Sequence, residues 1–201
     1  MCEKRDFLFR FVDATIRNHI LLDDEALYST TDQLTADKIT KDVLKFVPQM
    51  SVITDATACI GGNTYSFAKH FDCVLAFEKD PHRVKLLRHN MAVLGIDNVR
   101  VMKGDALFLC QQQHQHLIFI DPPWGGPDYK RLPRVNLFIS GMPLSEFCGQ
   151  VSKHTQYIAL KAPVNFNETE FINDTSPFLT LMHRNMQLRK MHLYIFKVND
   201  T

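Results

Sequence analysis

Four short β-rich runs in this chain each end in an acidic residue, and that recurrence most limits how it can fold. Val52-Ile53-Thr54 ends at Asp55, and Cys73 to Phe77 ends at Glu78. Val99 to Met102 leads through Lys103-Gly104 to Asp105, and Leu117 to Ile120 ends at Asp121. Helical spacing separates the early runs over Thr64 to His70 and Arg83 to Leu94, the second introduced by the cap-and-proline pair Asp80-Pro81. Alternation of this kind builds a parallel sheet with helices on both faces, and ligands bind beyond the carboxyl ends of its strands. A single strand-end acid usually caps the next helix. Four in consecutive strands form a register, and a register suits a binding site.

A fifth run, Tyr157 to Leu160, is broken by Pro163. The last two, Phe178 to Met182 and His192 to Val198, leave no room for a crossover helix and must pair antiparallel through a turn near Asn185 to Arg189. The expected fold is therefore α/β: a doubly wound, mostly parallel, Rossmann-like sheet with a C-terminal antiparallel hairpin. Residues 1–50 read as a short helical N-terminal extension, with an amphipathic helix over Ala36 to Phe46 stopped before Pro48. Residues 51–201 read as the catalytic domain.

Composition adds little. The chain has 201 residues, 45% of them hydrophobic, which suffices for a core without disulfides or a structural metal. Its net charge of +1 neither announces nor excludes a nucleic-acid partner. Five cysteines without a CxxC pair read as reduced thiols. No bilayer-length apolar run or secretory segment is visible, so a soluble intracellular protein and a monomer are expected, with no membrane and no metal. His114 and His116 lack the partners a metal needs and read as loop.

Asp55-Ala56-Thr57-Ala58-Cys59-Ile60-Gly61-Gly62-Asn63 is a strand end, a small-residue turn and a helix start. It matches neither GxGxxG nor the phosphate loop with its lysine, and so suits a cofactor without phosphate. S-adenosylmethionine is such a cofactor. Glu78 is then expected to accept from both ribose hydroxyls, Asp105 from the adenine amino group, and Asp55 from the cofactor's ammonium. Asp121-Pro122-Pro123-Trp124 supplies the chemistry. Prolines fix a rigid turn whose carboxylate and carbonyls can take both N–H groups of an aryl amine, turning its lone pair toward an electrophile, while the aromatic stacks on the ring.

With Gly125-Gly126-Pro127-Asp128-Tyr129 following, the motif resembles the trimethylguanosine synthase family, which methylates the 2-amino group of the 7-methylguanosine cap on RNA. Leu22-Asp23-Asp24-Glu25 through Tyr28-Ser29-Thr30-Thr31 is similar to that family's leader, Gly61-Gly62-Asn63-Thr64 to its cofactor loop, and Glu78-Lys79-Asp80-Pro81 to its ribose acid. Arg88-His89-Asn90 through Gly95-Ile96 is similar to the helix end whose asparagine meets the cap. The resemblance implies cofactor contacts at Thr31, Asp55, Ala56, Thr57, Gly61, Asn63, Glu78, Lys79, Asp105, Ala106 and Asp121. It implies substrate contacts at Ser29, Asn90, Pro123, Trp124, Tyr129 and Lys161, with catalysis at Asp121, Pro122 and Trp124 and a 7-methylguanosine-capped RNA as partner. Three positions depart from the family: Cys59 replaces the first loop glycine, Asp121 stands where serine is common, and Leu160-Lys161-Ala162-Pro163-Val164-Asn165 replaces Leu-Pro-Arg-Asn. Lys161 is taken as the substitute phosphate ligand. Lys130-Arg131, Arg134, His183-Arg184 and Arg189-Lys190 are further candidates for phosphate contact. An adenine amino methyltransferase and an inactive cap- or cofactor-binding module are the alternatives.

Overall fold

In the computed structural model, which describes residues 2–188 and 190–200, the β-branched and aromatic runs form strands and the helical spacings form helices. Arg189 lies outside the described residues, so the turn and basic pair that include it are not described further. Contacts divide the chain into two compact units, Met1–Ala106 and Leu107–Thr201.

The first unit opens with α1 (Cys2–Leu8), α2 (Ala14–Arg17), α3 (Ala26–Ser29) and α4 (Gln33–Val43). It continues as β1 (Val52–Asp55), α5 (Gly62–Ala68), β2 (Cys73–Glu78), α6 (Pro81–Val93) and β3 (Val99–Lys103). α4 starts three residues before the expected Ala36 because Asp32 caps it, accepting from Thr35 Oγ1 at 2.7 Å. Asp80 caps α6 as expected, accepting from the backbone of His82 and Arg83 at 2.8 and 2.9 Å, with Pro81 opening the helix. β2 lies parallel to both β1 and β3. The leader is built into this unit: Leu8, Phe9, Val12, Ile20 and Ala26 form one apolar cluster with Ile60 and Leu86. Burial of those side chains against β-sheet connections is what fixes a segment with little helix of its own.

The second unit follows α7 (Ala106–Gln111), which straddles the division. It holds β4 (Leu117–Ile120), a 3-10 turn (Pro127–Arg131), the small hairpin β5 (Phe138–Ile139) and β6 (Met142–Pro143), and α8 (Leu144–Val151). Then come β7 (Tyr157–Pro163), α9 (Glu168–Thr175), β8 (Leu179–Leu188) and β9 (Met191–Val198). β4 and β7 pair parallel, with Ile120 opposite Leu160, while β9 pairs antiparallel with both β7 and β8. In the first unit the strands run in the order β3-β2-β1, and in the second in the order β4-β7-β9-β8. That is the doubly wound sheet with a C-terminal antiparallel hairpin that the alternation implied. β7 runs through Lys161 to Pro163, past the expected break, because a proline closing a strand gives up only its own donor. No helix among the described residues is long and apolar enough to cross a membrane.

Candidate active site

In the first unit, the loop after β1 turns on two left-handed residues, Gly61 at φ 105° and Cys59 at φ 50°. Glycine adopts such angles freely; a cysteine does so under strain. Cys59 is thus the departure the sequence marked, held in place by its contacts. Its backbone N–H donates to Glu78 Oε2 at 3.0 Å, and its sulfur sits 3.4 Å from Ser29 Oγ. Burial pushes the Cys59 thiol up to about 11.

Gly62 is required by contact with the leader. A Cβ there would stand 2.7 Å from both Thr30 Cγ2 and the Thr31 carbonyl oxygen. Asn63 donates from Nδ2 to Thr31 Oγ1 at 3.0 Å, while its Oδ1 and the Thr30 hydroxyl are buried with no hydrogen-bond partner. Buried polar atoms are nearly always satisfied, so an acceptor and a hydroxyl left together beside a glycine turn fit the ammonium and carboxylate of an amino-acid group.

Glu78 closes β2 with its carboxylate set by the backbone: Oε1 accepts from Asp80 N–H at 2.8 Å, opposite the bond from Cys59. Arg83 stands beside it, Nε 3.8 Å from Oε1, and extends Nη1 to Glu25 of the leader at 2.5 Å. Sequence reasoning missed Arg83, which has no motif of its own and acts by joining leader and acid. Lys79 is exposed between Glu78 and Asp80, Asp105 is half-buried after β3, and Ala106 is buried where α7 starts. Ser29 is exposed and donates to the Glu25 carbonyl at 2.9 Å.

Two of the expected site residues in this unit are engaged by other parts of the protein. Asn90 is fully buried, its Nδ2 donates to the carbonyls of Leu21 and Ile60, and its Oδ1 accepts from Leu21 N–H. Through these three bonds it clamps the leader to the loop. Asp55, likewise fully buried, accepts from Thr64 Oγ1 at 2.7 Å and Thr57 N–H at 3.3 Å. It braces the turn containing Ala56 and Thr57.

In the second unit, Asp121-Pro122-Pro123-Trp124 leaves β4, with Pro122 buried, Pro123 exposed and Trp124 half-buried. The Trp124 ring meets Tyr129 edge-on at 5.3 Å, and its Nε1 is buried without a partner. Asn165 pins this loop, donating from Nδ2 to the carbonyls of Tyr129 and Leu132 at 2.8 Å each. It was visible in the segment that departs from Leu-Pro-Arg-Asn, but nothing in the sequence assigned it that role. Lys161 is 4% exposed, and its Nζ lies 2.6 Å from Asp121 Oδ2. Of the surface cations, Lys130, Arg131 and Arg134 are exposed, while Arg184 is engaged by Glu168. Among the described residues no three His, Cys, Asp or Glu side chains gather as a metal site.

This strand order, with a lysine-free glycine turn after β1 and Asp-Pro-Pro-Trp after β4, defines a Rossmann-like methyltransferase. Solved structures agree on the fold. A putative methyltransferase from Porphyromonas gingivalis W83 matches with a TM-score of 0.67 at 16% identity, over 90% of this chain and 44% of that one. The putative methyltransferase yhhF from Escherichia coli matches at 0.60 and 15%, over 82% and 88%. More narrowly, the chain belongs to the RNA cap guanine-N2 methyltransferase family, whose sequence model matches residues 50–191. It is similar to the trimethylguanosine synthase of Schizosaccharomyces pombe, 38% identical over 117 residues, which make up 55% of this chain. The match takes in 48% of that synthase, so the chain spans about half of its relative's length.

Proposed function

We propose that this chain transfers the methyl group of S-adenosylmethionine to the 2-amino nitrogen of a 7-methylguanosine RNA cap. The observation that carries this reading is the Asp121-Pro-Pro-Trp124 turn, its carboxylate held by a buried lysine and its indole by Tyr129, on a chain of this family. When bound, the cofactor supplies an electrophilic methyl group. The first unit would hold it: Glu78 accepts from the ribose hydroxyls, Asn63 Oδ1 from the ammonium, and the Thr30 hydroxyl donates to the carboxylate. Asp105 accepts from the adenine amino group, while Asp55 and Asn90 keep loop and leader in shape. The leader thereby completes the cofactor pocket.

The second unit would hold the base. Asp121 accepts from one N–H of the amine and the Pro122 carbonyl from the other, which frees the nitrogen lone pair from the ring. The remaining work is alignment, and alignment alone is worth several powers of ten in rate. Trp124 stacks on the base. A 7-methylated guanine is cationic, and a cation over a desolvated indole gains about 2 kcal/mol, roughly a thirtyfold preference.

The test is steady-state transfer of labelled methyl to a 7-methylguanosine cap analogue and to the same analogue lacking the 7-methyl group. About thirtyfold faster transfer to the first at limiting substrate is expected. Equal rates would remove the charged-base account, and transfer to an adenine-containing duplex alone would remove the guanine assignment with it.

A further inference from the structure

Two departures from the family, forty positions apart in the chain, come together in the structure. The parallel register sets Ile120 opposite Leu160, so Asp121 and Lys161 follow on neighbouring strands side by side. Nζ of Lys161 lies 2.6 Å from Oδ2 of Asp121 and 5.1 Å from the centre of the Trp124 ring. The lysine and aspartate side chains are 5% and 12% exposed. A lysine that binds phosphates keeps its ammonium where counterions exchange with solvent. This one is withdrawn from solvent and already paired.

We propose that Lys161 is a positioning residue for the methylation, acting through Asp121. The proposal rests on the amino-group methylation argued above. Tying Oδ2 to a buried ammonium fixes the plane of the carboxylate, and with it the direction in which the other oxygen meets the amine. Serine, common in the family at this position, has no plane to fix and needs no cation. An aspartate does, and a short charge-assisted bond supplies both orientation and compensation. Asp121 and Lys161 therefore act as one exchange in the chain's design, and should behave as a coupled pair on substitution.

The experiment is a double-mutant cycle with Lys161→Met, Asp121→Asn and the pair together. Asparagine keeps an acceptor oxygen without the charge, so the double variant leaves no ion alone in the protein. Lys161→Met should lower kcat about 100-fold, as expected for a misplaced acceptor, with little change in KM for the cap analogue. Adding Asp121→Asn should restore about tenfold of that loss. Should Lys161→Met not fold, Asp121→Asn is compared with the double variant, in which the second substitution should cost less than about threefold.

Trp124 is the only tryptophan, so its fluorescence reads the arrangement without substrate. Lys161→Met and Asp121→Asn should both shift its emission and its quenching by acrylamide. Unchanged emission in both variants overturns the proposal, as does a double variant no better than Lys161→Met. A raised KM for capped RNA at unchanged kcat would also overturn it, returning Lys161 to the phosphates. A parent chain that methylates no cap analogue removes the functional reading instead, and the emission arms still decide the pairing.

Discussion

At residue scale, Cys59 shows how a site tolerates a departure. A left-handed cysteine costs about 1–2 kcal/mol relative to glycine, and φ at Cys59 is 50°. Its side chain returns part of that by packing beside the leader cluster. Cys59→Gly should therefore leave stability within about 1 kcal/mol of the parent, because relieved strain and lost packing oppose one another. Cys59→Val should be destabilised by about 2 kcal/mol or more, since a branched Cβ fits positive φ worst. Urea unfolding of the three proteins reads both, and a valine variant as stable as the parent would mean that the loop relaxes. With its thiol pushed up to about 11 by burial, Cys59 should also alkylate at pH 8 on the order of a hundredfold more slowly than a free cysteine.

At the scale of elements, the strands were legible because each is a short apolar run that ends in a marked residue. β1 and β4 lie where the sequence put them. The helices α8 and α9 were not legible. Leu144–Val151 contains Gly149 in mid-helix, and that glycine is explained only by the Phe178 ring, 3.3 Å from where its Cβ would stand. Residue types at the site were legible for the same reason as the strands, but their partners were not. Asn90 and Lys161 both read as ligands, and each proves to be engaged by a residue far away in the chain, Leu21 and Asp121 respectively. Asn90 gives the element-scale prediction. Asn90→Leu leaves three backbone groups of Leu21 and Ile60 without this partner, and should cost about 3 kcal/mol or more, since two of the three are part-buried and each lies toward the lower end of 1–3 kcal/mol. The leader, residues 20–31, should then exchange its amide hydrogens and be cut by proteases faster than α6, which carries the substitution. Equal protection of both segments would show that Leu8, Phe9 and their apolar neighbours hold the leader without the asparagine.

For the whole molecule, the titrating groups set a window of stability. Cys59 and Cys148 are both raised by burial, and so are Tyr65, Tyr129 and Tyr194. Each holds its proton more tightly folded than unfolded, so between the unfolded and folded values the folded chain binds more protons. Stability then falls as pH rises past the ordinary cysteine value of 9.0 and the tyrosine value of 10.0. On the acid side His192 is lowered, first by burial and then by the Arg184 charge. The unfolded chain takes up that proton first, so this contribution is present above 6.5 and lost as pH falls through the folded value. Asp80 is lowered too, by its cap bonds to Arg83 and His82, but its contribution is lost only below 3.8. The two units therefore differ. Cys59 and Tyr65 belong to the first, whereas Cys148, Tyr129, Tyr194 and His192 belong to the second. Alkali should loosen both units, and mild acid the second before the first. Hydrogen exchange followed by peptide mapping at about pH 5.5, 7.5 and 10 tests this. Peptides of residues 107–201 should lose protection at the lowest pH while those of residues 50–106 keep it. Simultaneous loss in both would mean that His192 does not govern the acid limb.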